Sequence, residues 1–148
     1  MGFNLAILIS GKGSNMLNIV DACNNKTLSS NVKVVISNNK NSSGLAKVKK
    51  KGIKTKIIDE IQINKFEEKL SKLLFEEKVD LVCLAGFMQI LSKNFIKNFK
   101  KKIINIHPSY LPKYKGLNTS VRALKNKEKF SGCTVHYVTS KLDSGKII

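Results

Sequence analysis

Short apolar runs recur along the chain and are separated by segments with a different spacing of apolar residues. Runs of four to eight residues rich in valine, isoleucine and leucine are typical of strands buried on both faces of a parallel sheet. The hydrophobic pattern predicts six strands: NLAILIS (4–10), VKVVIS (32–37), IKTKIID (53–59), VDLVCLAGFM (79–88), KIINIH (102–107) and GCTVHYVTS (132–140).

Between these runs, apolar residues recur at intervals of three and four, which is the spacing of one helix face. The clearest helix is predicted over residues 64–78, with Asn64 and Glu67 as a capping pair. Ser92 is predicted to cap a shorter helix that follows the fourth strand. The other helices are predicted over residues 16–23, from Ser42 or Ser43 to Gly52, and over residues 119–127.

Strands and helices therefore alternate, which predicts an α/β fold with a Rossmann-like, mostly parallel twisted sheet and helices on both faces. A chain of 148 residues suits one domain, over residues 1–148. Ligands of such sheets bind at the carboxyl ends of the strands. We therefore look for chemistry in the loops that follow the predicted strands.

The net charge of +17 raises the question of a nucleic-acid partner. Arg122 is the single arginine, whereas readers of bases and phosphates favour the arginine fork. The lysines are scattered through every segment, which indicates a basic composition and predicts no specific nucleic-acid partner. No run is long and apolar enough for a membrane helix, and the N-terminus lacks a leader pattern, so we expect a cytoplasmic protein.

Three widely spaced cysteines, Cys23, Cys83 and Cys133, argue against a disulfide framework, and no C-x-x-C motif indicates a zinc site. We therefore predict no metal. Cys23 and Cys83 fall on apolar faces and are interpreted as small core residues.

The loop SGKGSN (10–15) lies between the first predicted strand and helix. Glycines allow close approach of an anion, and a helix N-terminus directs amide donors towards it, so Gly13, Ser14 and Asn15 are candidates for binding one phosphate. The loop matches neither the P-loop nor the full dinucleotide fingerprint. A tight turn that precedes a capped helix explains the same residues equally well.

The segment LAGFMQIL (84–91) ends the fourth predicted strand. Gly86 permits close approach of a ligand, and Met88, Ile90 and Leu91 could line an apolar slot for a flat ring. Ordinary core packing is the alternative for these side chains.

Asn105 and His107 are two residues apart on the fifth predicted strand and so share a face. An amide donor and a protonated imidazole could together hold a developing oxyanion, as acyl transfer requires. Asp143 could favour the charged form of His107 and assist proton transfer. The alternatives are a core histidine and an Asx-turn aspartate. His136 is interpreted as structural.

Four blocks, ILISGKGSN, LAGFMQIL, INIHPSYLPKYKGLNT and GCTVHYVTSKLDSGKII, together resemble the phosphoribosylglycinamide formyltransferases, folate-dependent enzymes of purine synthesis. The resemblance implies the formyltransferase fold and transfer of a formyl group from 10-formyltetrahydrofolate to glycinamide ribonucleotide. It implies catalytic Asn105, His107 and Asp143, and a substrate phosphate at Gly13, Ser14 and Asn15. It further implies a substrate pocket at Gly86 and Pro108, and a folate site formed by Met88, Gln89, Ile90, Leu91, Asn105, Thr139, Ser140, Lys141, Leu142 and Asp143.

The sequence departs from this family at Gln89, where arginine is frequent, and at Asn118, where histidine is frequent. Family members continue past the strand LDSGKII, so we expect the domain to lack a C-terminal segment. Folate-dependent hydrolases and methionyl-tRNA formyltransferases share the three catalytic residue types and remain alternatives. A non-catalytic basic module that binds nucleotides or RNA is a further one. The sequence does not indicate an oligomeric state.

Overall fold

A computed structural model describes residues 2–148. The strands are β1 Asn4–Ile9, β2 Asn31–Ser37, β3 Thr55–Ile57, β4 Leu81–Leu84, β5 Lys102–His107 and β6 Thr134–Tyr137. The helices are α1 Ser14–Asn24, α2 Ser43–Lys49, α3 Ile63–Glu76, α4 Lys93–Asn98 and α5 Thr119–Lys125. In this part of the chain, no helix is long and apolar enough to cross a membrane.

The strands form one sheet in the order β3-β2-β1-β4-β5-β6. The first five strands in this order run parallel, and β6 pairs with β5 in the antiparallel sense. The prediction of a mostly parallel α/β sheet is therefore confirmed. The order reverses direction between β1 and β4, so the carboxyl ends of these strands border the crevice where ligands of such sheets bind.

Helices cover both faces of the sheet, as the sequence predicts. One core cluster joins apolar side chains of α1 and α2 to alternate positions of the central strands, including Ile7 and Ile9 of β1. The other cluster contains Phe66 and Leu70 of α3 and Phe95 from α4, packed against the opposite face of the same strands. Because β1 is buried on both faces, its sequence is a continuous apolar run.

Several predictions of local structure differ from the structure. The third, fourth and sixth strands are present but shorter than predicted, at three, four and four residues, because the apolar runs continue into the loops that follow or precede them. The capping pair Asn64–Glu67 does not form, since α3 begins at Ile63 and places Asn64 inside the helix. The Glu67 carboxylate instead accepts hydrogen bonds from the backbone N–H and the hydroxyl of Ser92, both at 2.6 Å.

Ser92 caps α4 as predicted, because its Oγ accepts a hydrogen bond of 3.1 Å from the Phe95 backbone N–H. Glu67 of α3 therefore holds in place the residue that caps α4. It holds α3 and α4 together on one face of the sheet, next to the segment that leaves β4.

Candidate active site

The glycine loop after β1 is shaped by the N-terminus of α2. Gly13 has a φ of 68°, and a Cβ there would lie 2.6 Å from the Met16 Cε atom and 3.3 Å from the Gly44 Cα atom. The Gly44 N–H and the Ser42 hydroxyl both donate to the Gly11 carbonyl, at 3.1 Å and 2.7 Å. Position 13 therefore requires a residue without a side chain, for both conformational and steric reasons.

The loop leads into α1, whose first residues, Ser14 and Asn15, are exposed. The backbone N–H groups of a first helical turn have no partner within the helix and create a positive end of the helix dipole. Gly13, Ser14 and Asn15 thus lie together at a helix N-terminus, as predicted, and this arrangement suits a phosphate.

A chain of hydrogen bonds connects this loop to the segment that follows β4. The Ser10 hydroxyl donates to Asn38 Oδ1 at 2.7 Å and accepts from the Met88 backbone N–H at 2.9 Å. Asn38 Nδ2 in turn donates to Gln89 Oε1 at 3.1 Å. Gln89, which stands where arginine is frequent, therefore links the segment after β4 to the Asn38 side chain in the loop after β2.

The predicted ring-binding residues in the segment after β4 differ in their exposure to solvent. Met88 and Ile90 are 67% and 68% exposed, so their side chains are available to a ligand. Leu91 is only 4% exposed and packs in the core beside α3 and α4. The side chain of Leu91 is therefore a core side chain. Gly86 is exposed at the end of β4, with a φ of 74°.

Asn105 and His107 lie on one face of β5, as the two-residue spacing predicts. His107 is buried, whereas Asn105 is partly exposed. The Nε2 atom of His107 lies 2.8 Å from the Tyr114 carbonyl oxygen. A carbonyl oxygen only accepts hydrogen bonds, so His107 Nε2 carries a hydrogen.

Asp143 meets His107 at this face of the sheet. Its Oδ2 atom lies 3.4 Å from His107 Nδ1 and accepts a hydrogen bond of 2.9 Å from the Gly116 backbone N–H. The carboxylate therefore contacts groups that are distant in sequence, which differs from an Asx-turn. Both ring nitrogens of His107 face acceptors, an arrangement that the charged imidazolium satisfies.

Asp143 reaches this position because the chain doubles back after β6. Since β6 is antiparallel, the chain leaves it away from the carboxyl ends of the other strands. It then turns and pairs Ile147 with His136 on the other side of β6. Thr139, Ser140, Lys141 and Leu142 form the exposed start of this turn, and Asp143 is the partly buried residue that follows them.

His136 is the member of the cluster that sequence reasoning missed. It is buried, lies directly opposite Asn105 across the β5–β6 pair, and places Nε2 3.2 Å from Asn105 Nδ2 and 3.6 Å from Asp143 Oδ1. The signal available in the sequence was its two-residue spacing from Thr134, which put both side chains on one face of β6. The missing information was the register between the two strands.

The segment that carries Tyr114 is fixed by polar contacts on both sides. The Ser109 hydroxyl donates to the Lys113 carbonyl at 2.6 Å. The Tyr114 hydroxyl donates to Glu128 Oε1 at 2.8 Å, and Lys113 Nζ lies 3.0 Å from the same oxygen. The hydrogen bonds from Lys113 and then Tyr114 lower the pKa of the Glu128 carboxyl below its usual value.

The two residues predicted for a substrate pocket follow neighbouring strands, since Leu84 of β4 pairs with Asn105 of β5. Pro108 lines a cavity of about 480 Å³ together with Tyr110 and Phe130, whereas Gly86 lies outside this cavity at the end of β4. Asn118, the other departure from the family, precedes α5 with a φ of 56°. Asparagine tolerates this left-handed conformation better than most residues do, which gives a physical reason for its presence.

Comparison with known protein families agrees with this geometry. The sequence model of the family "Formyl transferase" matches residues 3–148. The chain belongs to this formyl transferase family. It is 40% identical over 148 residues to the phosphoribosylglycinamide formyltransferase of Escherichia coli K12, and the match covers 98% of this chain and 70% of that protein.

Solved structures of formyl transferases show the same fold. A glycinamide ribonucleotide transformylase 1 from Symbiobacterium toebii superposes with a TM-score of 0.94 at 36% identity, over 99% of this chain and 71% of that one. A phosphoribosylglycinamide formyltransferase from Anaplasma phagocytophilum gives 0.91 at 43% identity, over 100% and 70%. The expected formyltransferase fold is therefore confirmed.

The chain spans only part of the length of its relatives. The human trifunctional purine biosynthetic protein adenosine-3 is 41% identical over 147 residues, which cover 97% of this chain but 15% of that protein. The matched region in these relatives is thus one part of a longer polypeptide.

Proposed function

We propose that this formyl transferase transfers the formyl group of 10-formyltetrahydrofolate to the primary amine of glycinamide ribonucleotide. The observation that carries the proposal is the meeting of Asp143 with His107 beside Asn105, three side chains that only the fold brings together. The similarity to phosphoribosylglycinamide formyltransferases supports the same substrates.

The spacing of the strand ends suits a phosphorylated amine. β1 precedes the glycine loop, β5 carries Asn105 and His107, and β4 lies between them. Neighbouring strands are about 4.8 Å apart, so the two ends lie roughly 10 Å from each other. A ribonucleotide phosphate at Gly13, Ser14 and Asn15 would place the far end of the substrate near Asn105.

The segment after β4 suits a flat folate ring. Met88 and Ile90 present exposed apolar side chains, and Leu142 on the turn after β6 is also exposed. The polar backbone of residues 88–91 and 139–143 would supply the hydrogen bonds that orient the ring, as small-molecule sites require. Asn105, on the strand next to β4, would face the formyl group.

The reaction exchanges one bond to the formyl carbon for another. The amine nitrogen forms a bond to that carbon, the bond from the carbon to folate N10 breaks, and a proton passes from the amine to N10. Negative charge develops on the formyl oxygen during this exchange. The Asn105 amide and the His107 imidazolium are the donors that would stabilise it.

His107 already donates from Nε2 to an oxygen atom of the protein, the Tyr114 carbonyl. A formyl oxygen would replace this carbonyl as the acceptor, so the Tyr114 contact marks the kind of group that the site accepts. Asp143 would hold the opposite edge of the ring and balance its charge. It would also take up, through a water molecule, the proton that the amine loses and pass it on to folate N10.

We infer that the physiological partners are the ribonucleotide and the reduced folate, with no metal, no membrane and no specific nucleic acid. Both substrates are soluble metabolites, which suits a cytoplasmic location. The relatives named trifunctional purine biosynthetic proteins place matching segments in purine synthesis and support this assignment.

The proposal is tested by offering 10-formyltetrahydrofolate to the purified chain with three acceptors: glycinamide ribonucleotide, water and methionyl-tRNA. We expect formylglycinamide ribonucleotide and tetrahydrofolate in equal amounts. Formate as the sole product would indicate a hydrolase, and formylated methionyl-tRNA would indicate the tRNA enzyme. A phosphoribosylglycinamide formyltransferase from Escherichia coli is the positive control. Absence of product from the ribonucleotide under conditions where this control turns over contradicts the proposal.

A further inference from the structure

His136 is a buried histidine for which the proposed reaction has no use. Its side chain is 3% exposed, and its two ring nitrogens have different neighbours. Nδ1 lies 2.9 Å from the Tyr137 carbonyl oxygen, and Nε2 lies 3.2 Å from Asn105 Nδ2. The second contact connects this histidine to a residue of the proposed catalytic cluster.

These neighbours determine the protonation of the ring. The Tyr137 carbonyl only accepts, so Nδ1 of His136 carries the hydrogen. The Asn105 amide nitrogen only donates, so Nε2 of His136 must offer its lone pair. The ring is therefore the neutral Nδ1–H tautomer. Asp143 Oδ1 lies 3.6 Å from the same Nε2 atom, slightly beyond hydrogen-bond distance.

The same contact holds the Asn105 amide at one end. In the structure the amide directs Nδ2, and not its oxygen, at His136 Nε2. In the observed orientation, one N–H of Asn105 Nδ2 is used by His136. The second N–H and the amide oxygen remain directed elsewhere, and Asn105 is partly exposed on its strand.

We propose that His136 is a positioning residue that holds the Asn105 amide with one N–H ready for the formyl oxygen. The inference rests on the proposed function, because it assigns a role within the same site. A donor in an oxyanion site is effective only when its orientation is fixed before the reaction. The neutral ring of His136 fixes this donor by accepting the other hydrogen of the same nitrogen.

A double-mutant cycle separates positioning from general support of the fold. His136→Leu removes the acceptor, and we expect kcat to fall about 10- to 100-fold, with KM for both substrates nearly unchanged. In an Asn105→Ala background, the same change should have little further effect on kcat. An equal loss in both backgrounds, or no loss in either, would overturn the proposal.

Two further variants serve as controls. His136→Gln offers an amide oxygen to Asn105 Nδ2 and should recover part of the lost kcat. Tyr137→Phe changes the neighbouring side chain, whose hydroxyl contacts Lys102 at 3.5 Å, and should retain wild-type kcat. Thermal unfolding of every variant identifies those that fail to fold.

Nuclear magnetic resonance tests the inference without any turnover. Long-range proton–nitrogen correlations should show His136 as the neutral Nδ1–H tautomer near neutral pH. His136→Leu should shift the side-chain amide resonances of Asn105 and speed their exchange with water, whereas Tyr137→Phe should not. An Nε2–H tautomer, or unchanged Asn105 resonances in His136→Leu, would contradict the proposal. If the wild-type chain transfers no formyl group, the proposed function fails while this measurement still decides the role of His136.

Discussion

At the scale of single residues, the site depends on contacts between side chains that each have an ordinary alternative role. His107 could have been a satisfied core histidine, and Asp143 could have closed its own turn. The structure instead places the Asp143 carboxylate 3.4 Å from His107 Nδ1, with the Gly116 N–H donating to the same oxygen. The arrangement places a carboxylate against one edge of a buried imidazole.

The negative charge of Asp143, more than its shape, should matter for turnover. Asp143→Asn retains an oxygen for the Gly116 N–H but removes the charge that faces His107. We expect kcat for formyl transfer to fall about 100-fold or more, with the unfolding temperature nearly unchanged. Asp21→Asn, which alters an exposed aspartate paired with Lys51 at 2.6 Å, is the matched control and should have wild-type kcat. A wild-type kcat for Asp143→Asn would show that the carboxylate does not support the site.

The three cysteines should differ in reactivity because their burial differs. Burial, and then the nearby Cys23, raise the pKa of the Cys83 thiol from 9.0 to about 11. At pH 8 the reactive thiolate of Cys83 is therefore about 100-fold rarer than that of a thiol with the ordinary pKa. We expect a disulfide reagent to label exposed Cys133 rapidly and Cys83 only after unfolding.

Peptide mapping by mass spectrometry identifies the labelled cysteine, and Cys133→Ser should abolish the rapid phase. The raised pKa also predicts that stability declines as the pH rises from 9 to 11, since the unfolded chain then loses this proton first. Rapid labelling of Cys83 in the native protein would contradict the burial on which both expectations rest.

At the scale of secondary structure, the contact between Glu67 and Ser92 holds two helices together. The Ser92 hydroxyl both caps α4 and donates to the buried Glu67 carboxylate. Ser92→Ala removes both hydrogen bonds, and we expect the free energy of unfolding to decrease by about 2–3 kcal/mol. Ser71→Ala, on the exposed face of α3, is the matched control and should stay within about 0.5 kcal/mol of wild type.

Chemical denaturation measures both variants. Equal stabilities for Ser92→Ala and Ser71→Ala would show that the contact between α3 and α4 contributes nothing.

The elements show which parts of the fold can be predicted from the sequence. The strand KIINIH was predicted with its observed bounds, because its three isoleucines favour a strand and Pro108 follows its last residue. The strands β3 and β4 were predicted too long, since an apolar run does not reveal where the hydrogen bonds to neighbouring strands end. The capping pair at Asn64 and Glu67 matched a local pattern, but a distant partner, Ser92, was available to Glu67.

In the candidate site, too, local features were predicted and contacts between distant residues were not. The spacing of Asn105 and His107 predicts that they share a face, and this is confirmed because the strand period is local. His136 was interpreted as structural, since its place opposite Asn105 depends on the pairing of β5 with β6. The contacts of the Tyr114 carbonyl and the Gly116 N–H could not be predicted from the sequence either. Every residue carries these backbone groups, so the residue types do not indicate which of them make contacts.

At the scale of the whole molecule, the net charge of +17 calls for a test against polynucleotides. The exposed lysines occur on several elements, and some pair with carboxylates, as Lys51 does with Asp21 and Lys113 does with Glu128. We therefore expect only weak, nonspecific association, with a Kd no tighter than about 10⁻⁵ M at physiological salt. Fluorescence anisotropy with labelled RNA and DNA at several salt concentrations measures it. Tight binding that prefers one sequence would favour the alternative of a basic nucleic-acid-binding module.

The fold as a whole makes His107 the residue on which the proposed chemistry depends most. β5 presents His107 to Asp143 and to the Tyr114 carbonyl, and it lies next to β4, which leads to the proposed folate segment. His107→Gln keeps an amide N–H that can donate to the Tyr114 carbonyl, so the fold should persist. The variant lacks the ring and the positive charge.

The most direct measurement is therefore the rate at which wild type and His107→Gln form formylglycinamide ribonucleotide. Circular dichroism and thermal unfolding of both proteins are recorded in parallel. We predict a loss in kcat of about 1,000-fold or more with a native spectrum. A His107→Gln chain that turns over at the wild-type rate would contradict the role assigned to Asn105, His107 and Asp143.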